Sequence, residues 1–147
     1  MRPFYLPYRE WRRLRRRGYA AQQRGALEVC GLAGADRRRR VFLVFVNNGS
    51  RVAAHFEIGW EEVRVAKERI RTAGGRLLGM FHSHPASEAV MGPGDIRGHC
   101  TGDFHLIYDV CGTHARLWRV VRGKRGKKVH EVPLVNERGD TARGGWR

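Results

Sequence analysis

Cysteine is scarce in this sequence, and the three cysteines present, Cys30, Cys100 and Cys111, are far apart. An odd number of widely spaced cysteines excludes a fully paired disulfide framework and a CxxC motif for zinc or redox chemistry. Long apolar runs are missing too, since none approaches the roughly 18 residues that a membrane-spanning helix requires. The first residues lack the apolar core of a secretory signal. We therefore expect reduced thiols, a cytoplasmic location and no membrane partner.

Acidic residues are also few: 14 Asp and Glu stand against 29 Lys and Arg, which gives a net charge of +15 at pH 7. Such an excess predicts an acidic protein or a nucleic acid as partner, although an arginine-rich coding bias would give the same composition. The basic clusters at 12–17, 37–40 and 122–127 are expected on a solvated helix face and in two turns. No recognised nucleic-acid motif accompanies them, so an acidic protein is the favoured partner.

The chain has ordinary hydrophobicity and the length of a single domain. Its 147 residues are 41% hydrophobic, which is enough for one core, and they contain no internal repeat. We assign residues 1–135 to that domain. Residues 136–147 combine glycine with charge and leave little to pack, so we expect a disordered basic tail there.

Hydrophobic periodicity and the positions of glycine and proline predict strands interspersed with three helices. The predicted helices cover residues 8–23, 60–73 and 95–100, and the predicted strands cover residues 26–34, 41–46, 54–58, 76–84, 104–110, 115–121 and 128–134. The helix at 60–73 is the best specified, because its apolar residues share one face and two glycines end it. This order predicts an α+β, or mixed α/β, fold with a central mixed β-sheet flanked by helices.

The most informative stretch is His82-Ser83-His84-Pro85, at the end of a mostly apolar predicted strand. Side chains alternate faces along a strand, so His82 and His84 point the same way while Ser83 points the opposite way. Asp95, eleven positions after His84, can return as a third ligand. Two imidazoles and a carboxylate form a ligand set suited to catalytic zinc, with the fourth position left to water. Histidines in a His-x-His pattern are more often ordinary core residues, so the pattern alone is weak evidence.

Glu28 stands in an otherwise apolar stretch, Glu-Val-Cys-Gly-Leu, on the strand predicted at 26–34. Burying a carboxylate without a partner is costly, so Glu28 needs a partner or a chemical task. A carboxylate whose pKa is raised by burial suits general acid/base chemistry, and Glu28 is the candidate for that role. Cys30 is expected to pack in the core beside it.

The other histidines are expected to be structural. His99 follows Asp95 closely and could support the ligands from behind, but an ordinary helix position is the favoured interpretation. Four more histidines share no ligand spacing: His55, His105, His114 and His130.

Taken together, these residues resemble the JAMM (MPN+) metalloprotease family. The matching features are a glutamate on an early strand, the His-Ser-His-Pro run and an aspartate at the spacing of Asp95. The resemblance spans about residues 26–110 and is specific, because several separated parts match. It implies a JAMM-type fold, similar to that of cytidine deaminases. It also implies one zinc ion bound by His82, His84 and Asp95, with Glu28 as the general acid/base.

The function that the resemblance implies is zinc-dependent hydrolysis of the peptide or isopeptide bond after the C-terminal tail of a ubiquitin-like modifier or sulfur-carrier protein. One position departs from the family pattern: Gly92 stands where the family has a serine that helps to stabilise the tetrahedral oxyanion. Losing one oxyanion donor costs on the order of 100- to 1,000-fold in rate. Two alternatives therefore stay open, a zinc-containing binding module with weak or no catalysis and a basic nucleic-acid-associated protein.

Overall fold

A computed structural model describes residues 1–136 of the protein, which contain three helices and eight strands. In chain order they are β1 (Phe4–Tyr5), α1 (Tyr8–Gln23), β2 (Cys30–Ala35), β3 (Val41–Val46), α2 (Trp60–Thr72), β4 (Arg76–His84), α3 (Pro93–Gly98), β5 (Phe104–Asp109), β6 (His114–Gly123), β7 (Gly126–Val132) and β8 (Leu134–Val135). None of the helices in this part of the chain is long and apolar enough to cross a membrane.

Six strands form one mixed sheet in the order β3-β2-β4-β5-β6-β7, which confirms the predicted fold class. Neighbouring strands are antiparallel except for β4 and β5, which are parallel. A hairpin cannot join two parallel neighbours, so the chain leaves the sheet between them, and α3 lies in this connection. The connection begins at the C-terminal end of β4, in the middle of the sheet. β1 and β8 pair separately as a short parallel ribbon.

A long helix covers each face of the sheet. α1 buries Trp11 and Leu14 in the same core as Phe81 of β4, whereas α2 buries Ile70 in the same core as Met80. Met80 and Phe81 are adjacent in the strand and therefore point to opposite faces. Both faces of β4 are buried, which explains its nearly continuous apolar sequence.

The strand predicted at 54–58 is wrong, because a side-chain amide and not a neighbouring strand satisfies the backbone there. The Nδ2 group of Asn48 donates to the carbonyls of Glu28 and His55, and its Oδ1 accepts from the N–H of Glu57. Phe56, one of the residues that suggested a strand, packs against the core beneath α2. Residues 47–59 form a loop that is tied to the backbone of Glu28.

Several predicted boundaries also need correction. The strand predicted at 26–34 begins only at Cys30, so Glu28 lies just before β2 and not on it. α3 begins at Pro93, two residues earlier than predicted, because proline is preorganised for the first turn of a helix. β1 and β8 were missed, since two residues are too few for a periodic pattern. Asn136, assigned to the tail, is buried, and the rest of the predicted tail lies outside the described residues.

Candidate metal centre

The two motif histidines lie at the C-terminal end of β4, where the sheet opens toward the α3 connection. Their rings lie close together, with 4.8 Å between the centroids, and both residues are buried. Phe56 from the 47–59 loop stacks on the ring of His82, with 4.6 Å between the two centroids. The expectation that His82 and His84 converge on one point is confirmed by these distances.

Asp95 returns to the two histidines from the first turn of α3. Its Oδ1 lies 3.1 Å from Nε2 of His82, and its Oδ2 lies 3.2 Å from Nε2 of His84. The backbone N–H of Gly92 donates to the same Oδ2 at 2.9 Å, which fixes the carboxylate at the start of the helix. Burial acts to raise the pKa of Asp95, but the two imidazoles and the Gly92 N–H outweigh it and hold the pKa well below its ordinary value.

Glu28 completes the cluster from the segment before β2. It is 5% exposed, and ligand atoms of Glu28, His82 and His84 all lie within 4.8 Å of one another. Burial raises the pKa of Glu28 from 4.5 to about 7; the nearby Asp95 adds to this rise and His84 opposes it. The structure therefore brings all four residues singled out from the sequence into one site, with a carboxyl group that can exchange a proton near neutral pH.

The polar atoms of this cluster fit a metal ion. Nδ1 of His84 lies 2.6 Å from the carbonyl of Glu88; a carbonyl only accepts, so Nδ1 carries a proton and leaves Nε2 available as a ligand. Among residues 1–136, Nε2 of His82 is the one fully buried side-chain nitrogen or oxygen without a hydrogen-bond partner, although it lies beside Asp95. Imidazole nitrogens that face carboxylate oxygens form the donor set that zinc prefers. Two carboxylates are thus within reach of an ion bound by the two imidazoles: Glu28, whose ligand atom lies within 4.8 Å of theirs, and Asp95, which contacts both rings.

Two further histidines lie behind this cluster; sequence reasoning gave His105 no role there and considered such a role for His99 without favouring it. His105 on β5 contacts Nδ1 of His82, and His99 at the C-terminal end of α3 contacts His105. Both are buried, so the assignment of His99 to an ordinary helix position is wrong. The sequence does contain a pattern that indicates a paired His105. This histidine interrupts the apolar run Phe-His-Leu-Ile-Tyr of a buried strand, where an imidazole needs a hydrogen-bond partner.

An open groove leads to the cluster. It has a volume of about 890 Å³ and runs between the 47–59 loop and the α3 segment, with Glu28 and Asp95 in its wall. Phe56 and Ile58 give it apolar surface, while the adjacent Glu57 carries a carboxylate. The groove therefore connects the site to solvent.

The mixed sheet, with its paired histidines at the end of the central strand and two carboxylates beside them, agrees with the class that the comparisons show, a JAB/MPN-type domain. A family model described as "Prokaryotic homologs of the JAB domain" matches residues 12–121. The chain belongs to this prokaryotic JAB family, which confirms the resemblance inferred from the motif. None of the curated proteins matches the sequence.

Two solved structures resemble the whole fold. Protein DSY2949 from Desulfitobacterium hafniense is 25% identical, with a TM-score of 0.65, and the match covers 91% of this chain and 94% of that one. AF2198, a JAB1/MPN domain protein from Archaeoglobus fulgidus, is 16% identical, with a TM-score of 0.53 and coverage of 90% and 98%. At 16% identity, the similarity to AF2198 shows a shared fold and nothing more.

Proposed function

We propose that the protein is a zinc-dependent peptidase or isopeptidase that hydrolyses the bond after the C-terminal tail of a ubiquitin-like modifier or sulfur-carrier protein. The observation that carries the proposal is the position of Glu28. A carboxyl group with a pKa of about 7 lies within 4.8 Å of the ligand atoms of two histidines, beside a groove that is open to solvent. A purely structural cluster does not need such a group, because burying it costs stability at neutral pH.

Each residue has a distinct role in this proposal. His82, His84 and Asp95 would hold one zinc ion, since Nε2 of each histidine already lies 3.1 to 3.2 Å from an oxygen of Asp95. When bound, the ion supplies Lewis acidity and lowers the pKa of water. Glu28 would take the proton from the attacking water and pass it to the leaving amine, a task for which a pKa near the working pH is best suited.

Whether the protein is an enzyme or a binding module depends on whether catalysis needs the serine hydroxyl that is missing at Gly92. A Cβ added at Gly92 would touch only Oδ2 of Asp95, at 3.5 Å, and the φ angle of −76° is open to any residue. A serine would therefore fit, and the glycine reflects no steric requirement. If no other donor replaces the missing hydroxyl, the protein is a zinc-containing binding module with weak or no catalysis, which is the second candidate function.

The groove supports a peptide tail as the bound segment. Its volume of about 890 Å³ lies at the upper end of the range for pockets that hold small ligands, which is comparable to a few residues of extended chain. The two carboxylates of the proposed site lie in its wall, which would place the last peptide bond of a bound tail next to Glu28. A groove of this volume has room for a segment of chain and not for a folded domain.

The arginines of α1 support an acidic partner. Arg9, Arg12, Arg15 and Arg16 make no ion pair with any carboxylate of residues 1–136, whereas Arg13 pairs with Glu10. Arg12 and Arg15 lie with Tyr8 and Tyr19 on one stripe of the helix, because positions 8, 12, 15 and 19 are three or four residues apart. The far end of α1 approaches the site, since Gln22 donates to the carbonyl of Pro85, the residue after His84.

The proposal is tested with zinc-loaded protein and a fusion of a sulfur-carrier protein to a short C-terminal extension. We expect cleavage after the carrier tail, and Glu28→Gln to abolish it while the bound zinc remains. Absence of cleavage by the wild type, together with activity gained in Gly92→Ser, would support the binding module. Salt-sensitive binding to single-stranded or duplex nucleic acid without cleavage would support the third hypothesis.

A further inference from the structure

Three buried histidines form a continuous row behind the proposed metal site, and we call His82, His105 and His99 the histidine row. Nδ1 of His82 lies 2.7 Å from Nε2 of His105, and Nδ1 of His105 lies 2.9 Å from Nδ1 of His99. Nε2 of His99 lies 2.7 Å from the carbonyl of Gly102, where the row ends. All three histidines are less than 5% exposed.

In a row of neutral histidines, the carbonyl of Gly102 sets the direction of every hydrogen bond. A carbonyl only accepts, so Nε2 of His99 carries a proton, and Nδ1 of a neutral His99 must accept. His105 then donates from Nδ1 and accepts at Nε2. His82 in turn donates from Nδ1, which leaves the lone pair on its Nε2, the atom that faces Asp95. The row thus transmits a single constraint from a backbone carbonyl to a proposed metal ligand.

The opposite arrangement of protons would let Nε2 of His82 donate to Oδ1 of Asp95, 3.1 Å away, but it breaks the hydrogen bond that ends the row. If His82 carried its proton on Nε2, each donor in the row would become an acceptor, and the lone pair of His99 Nε2 would face the Gly102 carbonyl at 2.7 Å. The Gly102 carbonyl cannot easily turn away, because the N–H of the same peptide unit, that of Asp103, donates to the Leu78 carbonyl at 3.0 Å. A doubly protonated His99 is opposed by the ammonium of Lys127, which donates to the His99 carbonyl at 2.6 Å.

We propose that His105 and His99 are positioning residues that hold His82 in the tautomer with a free Nε2 lone pair, before any metal arrives. The importance of this tautomer for zinc rests on the proposed function, whereas the tautomer itself does not. A metal-binding histidine commonly donates its second N–H to a carboxylate or a carbonyl. Here the acceptor is another neutral imidazole, so the orientation of His82 depends on the whole row and not on one contact.

The direct test is a long-range ¹H–¹⁵N correlation spectrum of the ¹⁵N-labelled, metal-free wild-type protein, which reports the protonated nitrogen of each imidazole. We expect a proton on Nδ1 of His82, on Nδ1 of His105 and on Nε2 of His99. A proton on Nε2 of His82 would overturn the proposal. Because this spectrum needs neither zinc nor a substrate, it can succeed even if the proposed hydrolysis is not observed.

The second test compares two substitutions of His105. His105→Gln keeps an oxygen acceptor near the position of Nε2, whereas His105→Leu fills the space without an acceptor. By calorimetric titration with Zn²⁺, we expect Leu to weaken binding about 10- to 100-fold and Gln to restore most of it. The exposed His130→Leu on β7 serves as the matched control and should leave affinity unchanged. Equal affinities for wild type and His105→Leu, with both proteins folded, would contradict the positioning role.

Discussion

Ser83, the residue between the two motif histidines, accepts a hydrogen bond from the backbone N–H of Val29 at 2.9 Å, and Val29 follows Glu28. The backbone N–H of Ser83 also donates to the Val29 carbonyl at 3.0 Å. The alternation of the strand places the histidines on the side of the proposed metal site, while the intervening serine holds the segment that carries the candidate base. The His-Ser-His run therefore positions three functional side chains and not only two.

Ser83→Ala should reduce turnover without removing the metal. The substitution leaves the half-buried N–H of Val29 without its side-chain acceptor, which costs about 1 kcal/mol of unfolding free energy. It should also let Glu28 move, so we expect a lower kcat with zinc content unchanged. Urea unfolding, zinc analysis and kinetics on the same preparation measure these effects. An unchanged kcat would show that Glu28 is held by other contacts, such as Asn48.

Glu28→Gln should stabilise the metal-free protein at neutral and alkaline pH. Burial raises the pKa of Glu28 from 4.5 to about 7, so between these values the folded state binds more protons than the unfolded state. Wild-type stability therefore falls as pH rises through this window, and the loss is complete above about pH 7. Glutamine has no charge to bury, so the variant should be more stable by about 3 kcal/mol at pH 8.

The control for this prediction is to compare the stability of the wild type and Glu28→Gln at low pH. Below pH 4.5 the carboxyl group of Glu28 is protonated in both the folded and the unfolded state, so the two proteins should have similar stability. Chemical unfolding at pH 4 and pH 8 gives both values. A difference that does not change with pH would mean that Glu28 is not the buried titrating group that the structure indicates.

Gly92→Ser should raise the rate of hydrolysis if the missing hydroxyl limits catalysis. The added side chain meets only Asp95 Oδ2 at an ordinary contact distance, so the fold should tolerate it. An oxyanion donor contributes on the order of 100- to 1,000-fold in kcat, and KM should change little. Gly92→Ala provides the matched control, because it adds the Cβ without the hydroxyl. Equal rates for alanine and serine would indicate that another group already serves the oxyanion.

Reversing charge on α1 should weaken substrate binding and leave chemistry intact. Arg12 and Arg15 line a groove of about 660 Å³ and have no carboxylate partner among residues 1–136. The double substitution to Glu should raise KM for an acidic carrier protein, with an effect that diminishes at high salt. The same change at Lys124 and Arg125, on the β6–β7 hairpin, alters net charge equally and should have little effect. A similar rise in KM for both would indicate a nonspecific response to charge.

The sequence predicted the site better than it predicted the surroundings of the site. The pairing of His82 and His84 follows from the alternation of one strand, and the return of Asp95 needs only a short connection. The contact between His82 and His105 instead depends on the parallel pairing of β4 with β5, which no local pattern reveals. The segment 54–58 has apolar residues suited to a strand, but Asn48 takes up its backbone groups.

The central claim is that Glu28 performs chemistry at a zinc ion held by His82, His84 and Asp95. The most direct measurement combines zinc analysis with single-turnover cleavage of a carrier-protein fusion for the wild type, His82→Ala and Glu28→Gln. We expect one zinc per chain and cleavage in the wild type, loss of both in His82→Ala, and retained zinc without cleavage in Glu28→Gln. Cleavage by Glu28→Gln at the wild-type rate, or wild-type protein that binds no zinc, would contradict the account.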